Sequence, residues 1–224
     1  RRWREAEDAR RQIATEVERA ASEEVYWRHV LAELDELAPS PGEEETLAEL
    51  STRHELATSP LAILAQLAGA TTRLRLAPAV TLLPVHHPLH VAEEWATLDL
   101  LSGGRVDFAA GRGYDRKEYE PFQASFDDSA ELFAEGLEIV WRAWTETGKW
   151  SHKGKFYEFK DVEIRPRPAQ KPLRPYVACF SRPSMELAAR NDWNVIYAPF
   201  AAAMVYGSLA DAVRVYKDTC ETAH

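Results

Sequence analysis

"LDLLSGGRVDFAAGRGYDRKEY", Leu98–Tyr119, sets four glycines and three arginines around one short apolar run. Gly103-Gly104 ends the segment before it as a helix C-cap does, since glycine enters left-handed backbone without a Cβ penalty. "RVDFAAG", 105–111, then reads as a short strand, with Gly111-Arg112-Gly113 at its C-terminal end. A dinucleotide fingerprint would need G-x-G-x-x-G opening a helix. Residues 114–122 are instead charged and aromatic, end in Pro121-Phe122 and bring no third glycine. A Walker A pattern is absent as well. The stretch is therefore a helix, a tight stop, a strand and an arginine-bearing loop. In parallel α/β folds ligands sit at that edge of the sheet. Arg112 suits bidentate pairing of an anionic group, and an ion pair with a neighbouring carboxylate would use the same side chain.

Outward from this stretch the same alternation repeats. "SPLAILAQLAGAT" opens with Ser59 as N-cap and Pro60 at the first helical position. "LRLAPAVTLLP", 74–84, predicts a buried strand ended by proline. "HPLHVAEEWATLDLLSGG" predicts a helix. "DDSAELFAEGLEIVWRAWTE" predicts a long amphipathic helix capped by Ser129. "KWSHKGKFYEFKDVEI", 149–164, alternates like a hairpin around Lys153-Gly154, and "RPRPAQKPLRP" is a proline-rich loop. "YVACF", "SMELAARN", "NVIYAP" and "SLADAVRVYKDTCETA" follow as strand, helix, strand and closing helix. This order calls for an α/β fold with a parallel sheet and outer helices. About four strands after residue 70 are too few for a closed eight-stranded barrel. Residues 1–37 lack Gly and Pro, mix acid with base, and predict a charged helix; "APSPGEEE", 38–45, breaks it, and 46–51 reads as a short strand. The domain reading is a helical N-terminal extension over 1–45 and an α/β unit over 46–224.

Composition bounds the function. A net charge of −9 argues against nucleic acid as the main partner. Cys179 and Cys220 match no zinc or CxxC spacing, so the expectation is a reducing, cytoplasmic setting and no metal. No apolar run approaches the roughly 20 residues that span a bilayer, and no membrane partner is expected. The chain does not open on Met, so it reads as processed or as a segment of something longer. His86 and His87 precede Pro88 without a carboxylate triad and read as loop residues near a site mouth rather than ligands. Trp141, Trp144 and Trp150 read as core and hairpin packing.

Positions 58–219, about 70% of the chain, resemble the bacterial luciferase-like flavin monooxygenases. The resemblance rests on the run from "SPLAILAQLAGATTRLRLAPAVTLLPVHHPLHVAEEWATLDLLSGGRVDFAAGRGYDRKEYEPF", then "ELFAEGLEIVWRAWT", "GKFYEF", "PRPAQKP" and "NVIYAPFAAAM". It implies a TIM-barrel-derived fold that binds reduced FMN, or the deazaflavin F420, at the C-terminal ends of the strands. By position, it implies that Ala79, Val80 and Thr81 back the isoalloxazine ring, where ordinary strand core is the alternative. Gly111, Arg112 and Gly113, with Tyr114 beside them, match the strand end where an arginine approaches the flavin phosphate. Phe180, Ser181 and Ser184 match a loop that holds the phosphate at a helix N-terminus; for Ser181 a plain N-cap needs the same residue type. "AAAM", 201–204, resembles a substrate-side loop.

The family commonly carries Glu-His-His after its second strand. Here the sequence reads "STRHELATSP": Arg53 and His54 fall where the histidine pair would be, and the glutamate is not kept. His54 is the candidate for proton transfer near the flavin C4a position, with a surface histidine as the plain alternative. The family's opening strand has no counterpart, and strands seven and eight are missing, so the expectation is an incomplete barrel whose open edges need cover from a larger chain, a homo-oligomer partner or the N-terminal helix. The resemblance implies an enzyme: a monooxygenase in which reduced flavin and O₂ oxygenate a small organic substrate, with a flavin reductase as a possible partner. A non-catalytic flavin-binding or assembly module of the same descent is the alternative.

Overall fold

Ser59 accepts a hydrogen bond from the Ala62 N–H and Pro60 fills the first turn, so helix α1 (Pro60–Ala70) starts where the cap signal places it. The structure, a computed structural model, describes residues 59–223. The predicted helix over 1–37, the break at 38–45, the strand at 46–51, and His54 lie outside the described residues.

Strand β1 (Thr81–Leu82) leads through a 3₁₀ turn into helix α2 (Pro88–Ser102), strand β2 (Ala109–Gly111) and helix α3 (Ser129–Thr145). A hairpin of β3 (Trp150–Lys153) and β4 (Glu158–Val162) follows. Strand β5 (Tyr176–Ala178), helix α4 (Arg182–Arg190), strand β6 (Asn194–Ile196) and helices α5 (Pro199–Tyr206) and α6 (Leu209–Ala223) complete the described chain. The main sheet is parallel throughout, in the order β1-β2-β5-β6. Neighbours in the sheet are thus in chain order, as in a wound barrel, with no reversal of the kind a doubly wound sheet has. Among the described residues the sheet stays open at four strands, in keeping with an incomplete barrel.

Small residues let the layers close. Ala109 and Ala110 of β2 are fully buried. Beneath them Phe108 sits between Trp95 of α2 and Trp144 of α3, with ring centroids 5.3 and 5.1 Å away. The Trp144 indole N–H donates to the Ala92 carbonyl at 2.9 Å, so this buried polar atom is satisfied inside the helix–helix contact. Gly103 takes φ +69° and ends α2 as the sequence predicts. Trp150 packs edge-on to Phe159 in the hairpin, and Trp141 edge-on to Trp193.

Three local expectations are corrected. The 74–84 run is not one strand: Leu76 makes an isolated parallel bridge to Val106, and regular pairing resumes only at Thr81. Ser129 does not cap α3. Asp128 holds the N-cap position, and Ser129 is the first helical residue, buried, with its hydroxyl turned to Arg112. "AAAM" is not a loop but the middle of α5, whose Ala201 and Ala202 are buried.

Candidate functional site

The strand register sets one row across the C-terminal edge of the sheet. Leu82 stands opposite Gly111, and Ala178 opposite Ile196. All four line a single cavity of about 970 Å³, along with Ala79, Val80 and residues of the loops that follow the strands. Its size suits a cofactor-sized ligand, for which pockets run from about 300 to 1,000 Å³. A Cβ on Gly111 would lie 2.4 Å from Val80 Cγ2. One on Gly113, at φ +79°, would lie 2.5 Å from Leu82 Cδ1 and 2.7 Å from Glu118 Oε2. Glycine is therefore required at both positions for the loop to lie this close to the β1 end.

Between these glycines Arg112 reaches the cavity wall. Its Nη1 donates to the Ser129 hydroxyl at 3.3 Å, and among the described residues no carboxylate lies within ion-pairing distance of it. The ion-pair alternative for Arg112 is thus not what its surroundings provide. Glu118, three residues after Asp115, spends its Oε2 on the N–H groups of Tyr114 and Asp115, both at 3.1 Å. Asp115 returns the favour at the Lys117 N–H, which closes a capping box. The remaining charges on the wall, Glu186 and Arg190, pair with each other at 3.4 Å. Arg112 is left as the wall cation with no carboxylate partner among the described residues.

On the neighbouring strand, β5 hands the chain to α4. Ser181 occupies the N-cap position with extended backbone, yet its hydroxyl makes no capping bond. It lies 3.1 Å from the Ser184 hydroxyl, which donates to the Ser181 carbonyl at 2.8 Å. Two hydroxyls therefore gather at the positive end of a helix dipole, beside the same cavity as Arg112. Tyr114 and Phe180 stack over the mouth with centroids 5.8 Å apart, and Tyr114 is 73% exposed.

Of the sequence-predicted site residues, Ala79, Val80, Gly111, Arg112, Gly113, Tyr114, Phe180, Ser181 and Ser184 all line the cavity. The peptide between Ala79 and Val80 is cis. Thr81 pairs with Ala110 in the sheet and is not on the wall. His86 and His87 are not on it either: the His87 Nδ1 accepts from the Leu89 N–H and so caps α2. Sequence reasoning missed Glu118, Phe133 and Tyr197, which are on the wall. The Asp115-x-x-Glu118 spacing was a signal for the first; nothing local marked the other two. Burial, ahead of the nearby Cys179 and Tyr206, pushes the Tyr197 hydroxyl well above its ordinary pKa, so it stays a neutral phenol. Among the described residues no group of His, Cys, Asp and Glu is placed to hold a metal ion, and no helix is long and apolar enough to cross a membrane.

This architecture has known counterparts. The chain is 31% identical over 147 residues to the oxygenase component of a flavin-dependent trigonelline monooxygenase of Acinetobacter baylyi, covering 64% of this chain and 40% of that protein. It superposes on a crystal structure of a monooxygenase from Streptomyces bottropensis with a TM-score of 0.64 and 34% identity, over 74% of this chain and 50% of the other. Two structures at 21% identity share the fold. One is the oxygenating constituent of 3,6-diketocamphane monooxygenase from Pseudomonas putida in complex with FMN, with a TM-score of 0.59 over 74% of this chain and 48% of that one. The other is the coenzyme F420 dependent tetrahydromethanopterin reductase of Methanopyrus kandleri, with a TM-score of 0.61 over 75% and 51%. The chain thus spans about half the length of these structures and less of the curated relative. The model of the luciferase-like monooxygenases matches residues 43–217, and with that match over most of its length the chain belongs to the luciferase-like monooxygenase family.

Proposed function

We propose that this chain binds FMN, with the phosphate held between Arg112 and the hydroxyls of Ser181 and Ser184, and serves a flavin-dependent monooxygenase acting on a small organic substrate. The observation that carries the reading is Arg112: a guanidinium with no carboxylate partner among the described residues, on the wall of a cavity that the neighbouring loop after β5 lines with two hydroxyls at a helix N-terminus. The residues fit the group. Gly111 and Gly113 let the loop that carries Arg112 lie against the β1 end, and the guanidinium and hydroxyl donors match a phosphate ester. The family relatives that use flavin or FMN support the choice, and coenzyme F420 is the variant on the same scaffold.

Reduced FMN, when bound, supplies the electrons that activate O₂. The protein's own residues bind and orient. Val80 and Leu82 offer apolar surface on one side and Phe133 and Ile196 elsewhere on the wall, which limits water near the ring. His54 is proposed as the proton-handling group. A separate flavin reductase is proposed as partner because the trigonelline relative is named as an oxygenase component. A cytoplasmic setting and self-association belong to the same proposal. The family match beginning at residue 43 supports reading 1–45 as an extension outside the luciferase-like unit, 46–224.

The test is a fluorescence titration of the full chain with FMN, the deazaflavin F420 and riboflavin, repeated with Arg112→Ala. The expected result is micromolar binding of a phosphorylated cofactor, weakened at least about tenfold by the substitution, as loss of a charged hydrogen-bond partner does. A folded chain that binds neither cofactor overturns the reading.

A further inference from the structure

Among the described residues Tyr119 heads the fully buried side chains by size, at 1% exposure, although it comes from a short loop between two 3₁₀ turns. Its hydroxyl donates to the main-chain carbonyl of Arg112. Its ring is seated edge-on against Phe126, with centroids 5.2 Å apart. The chain between Arg112 and Tyr119 is closed by local bonds: Glu118 to the Tyr114 and Asp115 amides, Asp115 to the Lys117 amide, and the Tyr119 N–H to the Arg116 carbonyl at 3.0 Å. The loop is thus a hydrogen-bonded ring that folds back onto the arginine that opens it. Among the described residues the Arg112 guanidinium hydrogen-bonds only to the Ser129 hydroxyl, at 3.3 Å. Its direction is therefore set largely by where its backbone is held.

We infer that Tyr119 is a positioning residue for anion capture: through its bond to the Arg112 carbonyl it holds the Arg112 guanidinium at the cavity wall, ready for a phosphate. The inference rests on the proposed phosphate-binding role of Arg112. A pre-placed cation loses less freedom when the anion arrives, which strengthens binding without adding a contact. Tyr119 is not on the cavity wall, and its hydroxyl meets the Arg112 carbonyl, so its effect reaches a ligand through the loop that carries Arg112. It should therefore be felt by the phosphorylated flavin and not by the same ring system without a phosphate.

The experiment compares dissociation constants for FMN and riboflavin in the full chain and four variants. Tyr119→Phe keeps the ring and removes the hydroxyl; it should weaken FMN about three- to tenfold and leave riboflavin within about twofold. Phe126→Leu loosens the seat of the Tyr119 ring without touching Arg112, and should shift the FMN to riboflavin ratio in the same direction. Tyr216→Phe removes an equivalent tyrosine-to-carbonyl bond, to Trp193 at 2.6 Å, on α6, and should leave the ratio unchanged. Arg112→Ala separates the two claims. If it raises the FMN to riboflavin ratio of dissociation constants while Tyr119→Phe and Phe126→Leu do not, the positioning role is wrong and the phosphate site stands. If Tyr119→Phe weakens both ligands equally, Tyr119 is merely structural. If Arg112→Ala leaves the ratio untouched, or the wild-type chain shows no preference for FMN, the phosphate reading falls and the inference with it.

Discussion

Arg105→Ala should be among the most destabilising single changes in this fold. The guanidinium makes five hydrogen bonds, all to neutral acceptors. Nε donates to the Ser102 carbonyl at 2.7 Å; Nη1 to the Thr71 hydroxyl at 3.0 Å and the Leu74 carbonyl at 2.7 Å; Nη2 to the Ala68 and Thr71 carbonyls at 2.8 and 2.9 Å. Two of these acceptors belong to the C-terminal end of α1, where carbonyls have no helical partner and the helix dipole is negative. A third is the last residue of α2. One cation thus ties both helix ends to the segment that leads into β2. At about 1 kcal/mol net per bond, discounted because bonds to one group are not additive, the loss is about 3–5 kcal/mol, a large share of the ~5–15 kcal/mol that a domain has. At about 2–4 °C per kcal/mol for a domain of this size, the melting temperature should fall by about 10 °C. Arg105→Lys keeps the charge but offers no planar fork, and should lie between. Urea unfolding followed by circular dichroism measures both, with the slope unchanged if the native state is intact. An alanine variant within about 0.5 kcal/mol of wild type would refute the reasoning.

Glu135 on α3 is nearly buried and anchors the hairpin by accepting from the His152 Nε2 at 3.0 Å and from the backbone N–H groups of Lys155, Phe156 and Tyr157. Burial alone would raise its pKa, but the His152 bond and the three amides outweigh it and hold the carboxyl below its usual range. A depressed carboxyl stabilises the fold above its unfolded pKa, about 4.3, and loses that contribution as pH falls through the lower folded value. The gap in melting temperature between wild type and Glu135→Gln should therefore be constant above about pH 5 and shrink below it; a gap that is the same at pH 3 and pH 7 contradicts this. Burial pushes the Cys179 thiol up to about 12, so it should resist alkylation at pH 8 in the native chain, as read by mass spectrometry of the labelled peptides. Labelling of Cys179 on the timescale of a free thiol would show the β5 end to be open.

What was legible in the sequence was local. The Ser59-Pro60 start, the Gly103-Gly104 stop, the Lys153-Gly154 hairpin and the alternation of strands and helices each have a cause within a few residues, and each is present. The cavity residues at Gly111, Arg112, Ser181 and Ser184 were placed by a resemblance to a family, and the strand register brings them to one edge. Failures have two sources. Competing local signals misled at "PFAAAMVY", where proline at the first helical position and three alanines favour the helix that forms; the resemblance to a loop overrode them. Ser129 and Asp128 both suit an N-cap, and burial against Arg112 assigned the serine elsewhere. The second source is distance along the chain. Arg105 meets acceptors up to 37 residues away and Glu135 meets amides 20–22 residues on, so no spacing rule could announce either.

The measurement that tests the central claim most directly is a crystal structure of the full chain grown with FMN. A phosphate oxygen within roughly 2.7–3.2 Å of the Arg112 guanidinium, with the Ser181 or Ser184 hydroxyl on the same phosphate, is the predicted result. FMN bound with its phosphate away from the loop after β2, and Arg112 still on Ser129 alone, would contradict the account.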